Sequence, residues 1–131
     1  MVNTQLDTPV KNLTEANKAW DTLPITSPDN KWLAYTAMNT PAYEADKFEI
    51  KLINLVNGDV KSLAHDWDRS VSSMIFTADS QQLLVTTQDS GNYSIYKINI
   101  NNGKKQALIT NGKNTSIQLS KSHIIYNHND L

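Results

Sequence analysis

The sequence predicts an all-β protein made of four-stranded antiparallel sheets, arranged as the blades of a β-propeller. Three observations predict it. A turn-and-strand unit is written twice, as "SPDNKWLAYTA" (27–37) and "TADSQQLLVTT" (77–87). Each copy opens on a hydroxyl residue, holds Asp at the third place and runs into an apolar stretch. A second unit repeats as "INLVNGDVKSLA" (53–64) and "ININNGKKQALI" (98–109), with Asn57-Gly58 and Asn102-Gly103 lying 45 positions apart. Finally, the β-branched and aromatic residues stand in short runs cut by turn residues, a strand pattern. Self-similarity at periods of about 20–50 residues marks arrays of one supersecondary unit.

Each unit reads as four strands. The first is "TLPIT" (22–26), matched by 71–76 and by 115–119. Ser-Pro-Asp-Asn follows, with proline to preset φ and Asp and Asn to bond the local backbone. The second strand is 31–38, matched by 82–88 and 123–127. It is apolar on both faces: Trp32 and Ala34 point one way, Leu33, Tyr35 and Ala37 the other. Such a strand is covered on both sides. The third, 48–55 and 93–100, is wetter, carrying Lys51, Asn54, Lys97 and Asn99. Asn-Gly then supplies the positive φ of a tight hairpin. The fourth strand is 59–64 and 104–109. Only "LTEANKAW" (13–20) has the makings of a helical turn.

The strand count predicts two complete blades, about 22–64 and 71–109, and two partial ones. "PVKNL" (9–13) matches the last strand of a preceding blade; 115–127 match the first two strands of a following one. Closed propellers hold at least about four blades. The chain is therefore expected to be a fragment of a larger propeller. Sheet faces and strand edges left bare by the missing neighbours predict a homo-oligomer, with terminal strands pairing between chains or folding back onto the sheets.

Composition narrows the chemistry. There is no cysteine, which excludes disulfides, thiolate catalysis and cysteine zinc sites. Twelve Lys and Arg against 13 Asp and Glu give a formal net charge of −1, with no broad electrostatic claim on nucleic acid. No stretch is long and apolar enough to span a bilayer, and the first 18 residues lack the apolar core of a signal peptide. No cofactor is implied. The chain is expected to be soluble, with the compartment open between bacterial cytoplasm and periplasm or secretion.

Two long polar loops, 38–48 and 64–70, emerge at the same end of an antiparallel blade, opposite the turns at 27–31 and 57–58. "HDWDRS" (65–70) offers Arg69 for a carboxylate, Trp67 as an apolar platform, and Asp68. The competing reading is structural: Asp66 or Asp68 pairs Arg69, or caps amides, and Trp67 plugs between blades. That reading carries more weight, because propeller loops latch neighbouring blades. Tyr43 and Glu44, with Asp46 and Glu49, are candidates to receive a substrate's amino terminus; a solvated loop is the default. His65, His123 and His128 are too scattered for a metal site. "NLT", "NYS" and "NTS" match the glycosylation acceptor pattern in a chain rich in Asn and Thr.

The stretches "ANKAWDT", "SPD-KWLAY", "EADKF" and "DWDRSV" resemble the propeller domain of the prolyl oligopeptidase family of serine peptidases. Acylaminoacyl peptidases and dipeptidyl-peptidase-like members are the nearest in look. "SPD-K" also occurs in TolB-like propellers; "AWDT" followed by "EAD" and "DWDRS" is more specific. Asn30 stands where glycine is common, and Ala78 and Ser80 depart from the turn pattern in the second copy. The resemblance implies a propeller that caps an α/β-hydrolase domain, restricts access to large substrates and helps place the peptide. The partners it implies are therefore the peptide substrate and that hydrolase domain. The nucleophile elbow Gly-x-Ser-x-Gly is missing: Gly58, Gly91, Gly103 and Gly112 flank no serine in that way. The hydrolase domain is thus absent from these 131 residues, and the chain alone is expected to be inactive. The alternative is a non-enzymatic TolB-like propeller that binds protein partners.

Overall fold

The computed structural model describes residues 9–42 and 46–130. Ten strands form: β1 (Asp21–Thr26), β2 (Trp32–Ala37), β3 (Glu49–Asn54), β4 (Val60–Leu63), β5 (Val71–Phe76), β6 (Gln82–Asp89), β7 (Asn92–Asn99), β8 (Lys105–Ile109), β9 (Lys113–Leu119) and β10 (Ile124–Asn129). The described residues contain no helix; 13–20 hold one turn, in which the Asn17 amide donates to the Thr14 carbonyl. The first sheet is antiparallel, in the order β1-β2-β3-β4. The second repeats that order with β5-β6-β7-β8 and adds the hairpin β9-β10.

One expectation needs correction. Residues 9–13 form no strand. Leu13 instead packs on Tyr35, Ala37 and Ile53, one face of the first sheet. The β9-β10 hairpin, read from the sequence as the first two strands of a further unit, is paired to β7. It joins the second sheet through a parallel bridge between Tyr93 and Lys113. The bridge is reinforced by the Tyr93 amide, which donates to the Gly112 carbonyl, and by buried Asn114, whose amide donates to the Tyr93 and Asn111 carbonyls.

The repeated turn has a repeated mechanism. The Ser27 hydroxyl donates to Asp29 at 2.5 Å, the Lys31 amide donates to the same carboxylate oxygen, and the Trp32 amide donates to Ser27 Oγ. Thr77, Asp79, Gln81 and Gln82 reproduce all three bonds. Asn30 and Ser80, the departures from the turn pattern, both take φ of +59°. Asn tolerates that region. Ser80 is held there by burial and by accepting a bond from the Asp29 amide, which ties one turn to the other.

The Asn-Gly turns differ from expectation. Five residues, 55–59, separate β3 from β4, and only Gly58 takes positive φ. Asn54 and Asn57 act as caps, accepting from the amides of Val56, Asn57 and Asp59. Asn99 and Asn102 do the same one unit later. The two-residue hairpin turn lies at Ser90-Gly91, both with positive φ.

The two sheets meet face to face. Ala34, Ile50, Leu52 and Leu63 of the first bury against Met74, Phe76, Leu83, Val85 and Ile98 of the second. The alternation expected for the second strand holds: Ala34 enters this core, while Leu33, Tyr35 and Ala37 line the opposite face. The first strand of each unit carries a β-bulge, at equivalent places in β1 (between Thr22 and Ile25) and β9 (opposite Ile125 and Asn127) and one rung earlier in β5 (between Val71 and Ser73).

Hydroxyl and amide donors hold the Asp29 and Asp79 carboxyls below their ordinary pKa, Ser27 and Thr77 acting most strongly. A depressed folded-state pKa adds stability that is whole above the unfolded value and is lost as pH falls through the folded one. Stability should therefore fall on acidification below about pH 4, and less steeply in an Asp29→Asn/Asp79→Asn double variant. Urea titrations at several pH values measure this; parallel curves would contradict it. A second test uses the glycines. A Cβ on Gly112 (φ +71°) would meet the His128 ring at 2.6 Å and the Asn129 carbonyl oxygen at 2.9 Å, whereas Gly58 (φ +82°) has open space. Gly58→Ala should cost about 1–2 kcal/mol for the left-handed backbone alone, and Gly112→Ala clearly more. Equal shifts in denaturation midpoint would be the wrong result.

Candidate functional site

Antiparallel pairing places residues 38–42, 46–48 and 64–70 at one end of the first sheet, and hydrogen bonds join 46–48 to 64–70. Lys47 Nζ donates to the carbonyls of Trp67, at 2.9 Å, and His65, at 3.2 Å. The Phe48 amide donates to Ser70 Oγ. Asp46 accepts from the amides of Asn39 and Thr40 at 2.8 and 2.7 Å, and from its neighbour Lys47. These bonds, the one from Thr40 first, hold its carboxyl below the ordinary range. Glu49 is taken by Lys47 and Lys51. The Asp46 and Glu49 carboxylates are thus spent on the loop itself. Tyr43 and Glu44 lie outside the described residues.

The link from β4 to β5 crosses the second sheet. Trp67 is half-buried, packs on the inter-sheet core and meets Tyr96 edge to face, with ring centroids 4.9 Å apart. Arg69 lies over the same ring, 5.8 Å from its centroid, and forms an ion pair with Asp89. That carboxylate raises the Arg69 pKa further. Asp66 pairs with Lys105 at 2.9 Å, which lowers the Asp66 pKa. The expected short-range pairing of Asp66 or Asp68 with Arg69 is replaced by pairs to β6 and β8. Trp67 does occupy the place between sheets that the structural reading assigned to it. Asp68 is exposed.

Sequence reasoning passed over Trp20. It is 66% exposed, follows the same end of the sheet, and meets Phe48 edge to face at 6.0 Å. The readable signal was a large aromatic set directly before the first strand rather than inside it. His128 was also underread. Its Nδ1 contacts Asn114 Oδ1 at 2.7 Å and its Nε2 contacts Asp130 at the same distance. Asn114 gives both amide hydrogens to carbonyls, which leaves its oxygen to face the His128 ring. His65 and His123 are exposed and elsewhere.

A groove of about 470 Å³ runs along the face of the first sheet that looks away from the second. Leu13, Pro24, Thr26, Leu33 and Tyr35 line it.

Comparison with known proteins gives two kinds of likeness. The probable dipeptidyl-peptidase 5 of Emericella nidulans is 33% identical over 96 residues, 71% of this chain and 13% of the relative. That of Aspergillus niger is 36% identical over 75 residues, 57% of this chain and 10% of the relative. The dipeptidyl-peptidase 5 of Trichophyton schoenleinii is 37% identical over 67 residues, 50% and 9%. The chain thus spans a small part of each relative's length. No family model matches it. Among solved structures, TolB from Acinetobacter baumannii superposes with a TM-score of 0.60 at 22% identity, over 83% of this chain and 26% of that one. The chain therefore has an all-β, propeller-like fold, and part of it is similar in sequence to dipeptidyl-peptidases.

The two tryptophans should separate by substitution. Trp67→Ala should cost about 2–4 kcal/mol through lost packing, while Trp20→Ala should stay within about 0.5 kcal/mol, as exposed positions do. Arg69→Ala should cost no more than about 1 kcal/mol, since its ion pair is partly exposed. Guanidinium denaturation of the three variants measures this; a Trp20 effect as large as that of Trp67 would contradict the assignment.

Proposed function

We propose that the chain builds part of the β-propeller of a serine peptidase of the prolyl oligopeptidase type. In this reading the first sheet and β5–β8 are two full blades, β9-β10 are the first two strands of a third, and 9–13 take the place of a fourth strand. Two full blades are fewer than the four or so that close a propeller, so other strands complete it. The propeller gates and positions peptides for a hydrolase domain that this sequence does not contain. The observation that supports the reading most is the 33% identity over 96 residues to a probable dipeptidyl-peptidase 5.

The contact surface toward the hydrolase domain is the loop end. Lys47, Trp67 and Arg69 fix the 65–70 link, which leaves exposed Asp68 and Trp20, with Phe48 beside it, to meet the partner. An aromatic platform beside a carboxylate suits a protein surface or a peptide's amino terminus.

The likeness to TolB favours a second reading, a propeller that binds protein partners without catalysis. The coding sequence after Leu131 separates the two. Gly-x-Ser-x-Gly, then Asp and His, supports the peptidase; their absence favours the binding module. The 131 residues alone should not turn over dipeptide or acyl-peptide chromogenic substrates. Stoichiometric labelling of the pure chain by a fluorophosphonate probe would be the contrary result.

A further inference from the structure

Three Asn-Gly pairs stand in the chain, at 57–58, 102–103 and 111–112. Asn is thermolabile, and most so before glycine, which has no side chain to shield the following nitrogen. The structure treats the three pairs unequally. Asn57 Oδ1 accepts from the Asp59 amide and Asn102 Oδ1 from the Lys104 amide, each at 2.9 Å. The next nitrogen is engaged as well. The Gly58 amide donates to the Asn54 carbonyl at 2.7 Å, and the Gly103 amide to the Asn99 carbonyl at 2.9 Å. A reaction between side chain and nitrogen there requires two bonds to break, one of them within the main chain. Asn111 is different. It is exposed, and its side chain has no hydrogen-bond partner among the described residues. The Gly112 amide donates at 3.1 Å to Asn92 Oδ1, on a partly exposed side chain that can turn away.

The least protected pair also stands where a change matters most. The Asn111 carbonyl accepts from the Asn114 side-chain amide at 2.9 Å, and the Gly112 carbonyl from the Tyr93 amide at 3.0 Å. Lys113, next along, makes the parallel bridge to Tyr93. Residues 111–114 are thus the fastening of β9-β10 to β7. It has no slack. A single carbon added to Gly112 would already press on the His128 ring and the Asn129 carbonyl oxygen.

We propose that Asn111 is a site of spontaneous modification whose isoaspartate product unfastens the hairpin from the second sheet. The Gly112 nitrogen attacks Asn111 Cγ. A C–N bond forms, the Cγ–Nδ2 bond breaks, and ammonia leaves with the proton that Gly112 gives up. Water then opens the cyclic imide. Opening at Cγ leaves an aspartate. Opening at the main-chain carbonyl leaves an isoaspartate, whose chain runs through Cβ and Cγ. The main chain gains a methylene at this point, and the carbonyl that held Asn114 becomes a carboxylate beside the chain. Gly112 and Lys113 are pushed out of register with Tyr93, and the crowding around Gly112 leaves no room to absorb the added length. The inference rests on these bonds and does not depend on the peptidase reading.

Peptide mapping by mass spectrometry, on the 131-residue chain held at mildly alkaline pH, provides the test. In the folded chain Asn111 should convert several-fold faster than Asn57 and Asn102, and in concentrated urea the three rates should converge. Labelling by an isoaspartate methyltransferase identifies the isoaspartate. Hydrogen exchange reads its consequence. The Tyr93 amide should lose protection in the isoaspartate fraction and keep it in an Asn111→Gln variant aged in parallel. Asn111→Asp brings the charge without the methylene and should keep it too. Conversion of Asn57 or Asn102 as fast as that of Asn111 in the folded chain would overturn the proposal. An isoaspartate form with Tyr93 protection intact, or loss of that protection in Asn111→Asp, would overturn it as well. None of these outcomes bears on catalysis, so a failure here leaves the peptidase reading where it stands.

Discussion

The structure depends on one contact, the burial of the Ala34 face of the first sheet against the Leu83 face of the second. Ala34, Leu52, Leu83, Val85 and Ile98 are all essentially inaccessible there. Neither sheet has a helix to cover it among the described residues, so each relies on the other for its dry side. That reliance explains why the polar connections are so heavily bonded. Trp67 and Arg69 seal one end of the contact against Tyr96. Ser80 and Asp29 tie the turns at the opposite end. A hydrophobic contact has no direction of its own; the end bonds give it one.

Much of this was legible in the sequence because it repeats. The strand periodicity, the turn with Ser or Thr two places before Asp, and the two apolar faces of the second strand each appeared more than once, and a repeated signal outvotes local noise. All ten observed strands lie where the pattern put them, with ends moved by one or two residues. What was not legible depended on partners far away in sequence. Residues 9–13 had the composition of a strand but join no ladder of either sheet, and a strand is a paired object. The fusion of the hairpin to the second sheet rests on one bridge, Tyr93 to Lys113, that no periodicity announces.

The candidate site was half legible for the same reason. Trp67 and Arg69 were found as a dense polar cluster, and the choice between contact and latch could not be made from the cluster itself. It turned on Tyr96 and Asp89, twenty or more positions away. Trp20 was passed over because it stands outside any strand, where the sequence pattern is silent. Exposure of a large apolar ring becomes informative only once a fold is there to measure it against.

The recurring bulge changes how β1, β5 and β9 must be read. Thr22 and Ile25 are three apart yet face the same way, paired with Thr36 and Ala34. Alternation in these strands therefore resets halfway along, and Leu23, at φ +53°, absorbs the surplus residue. Loss of one residue at such a place would convert the bulge into plain ladder, whereas the same loss in β2 would turn half of the strand inside out. Natural variation in chain length should accordingly collect in β1, β5 and β9 and spare their neighbours.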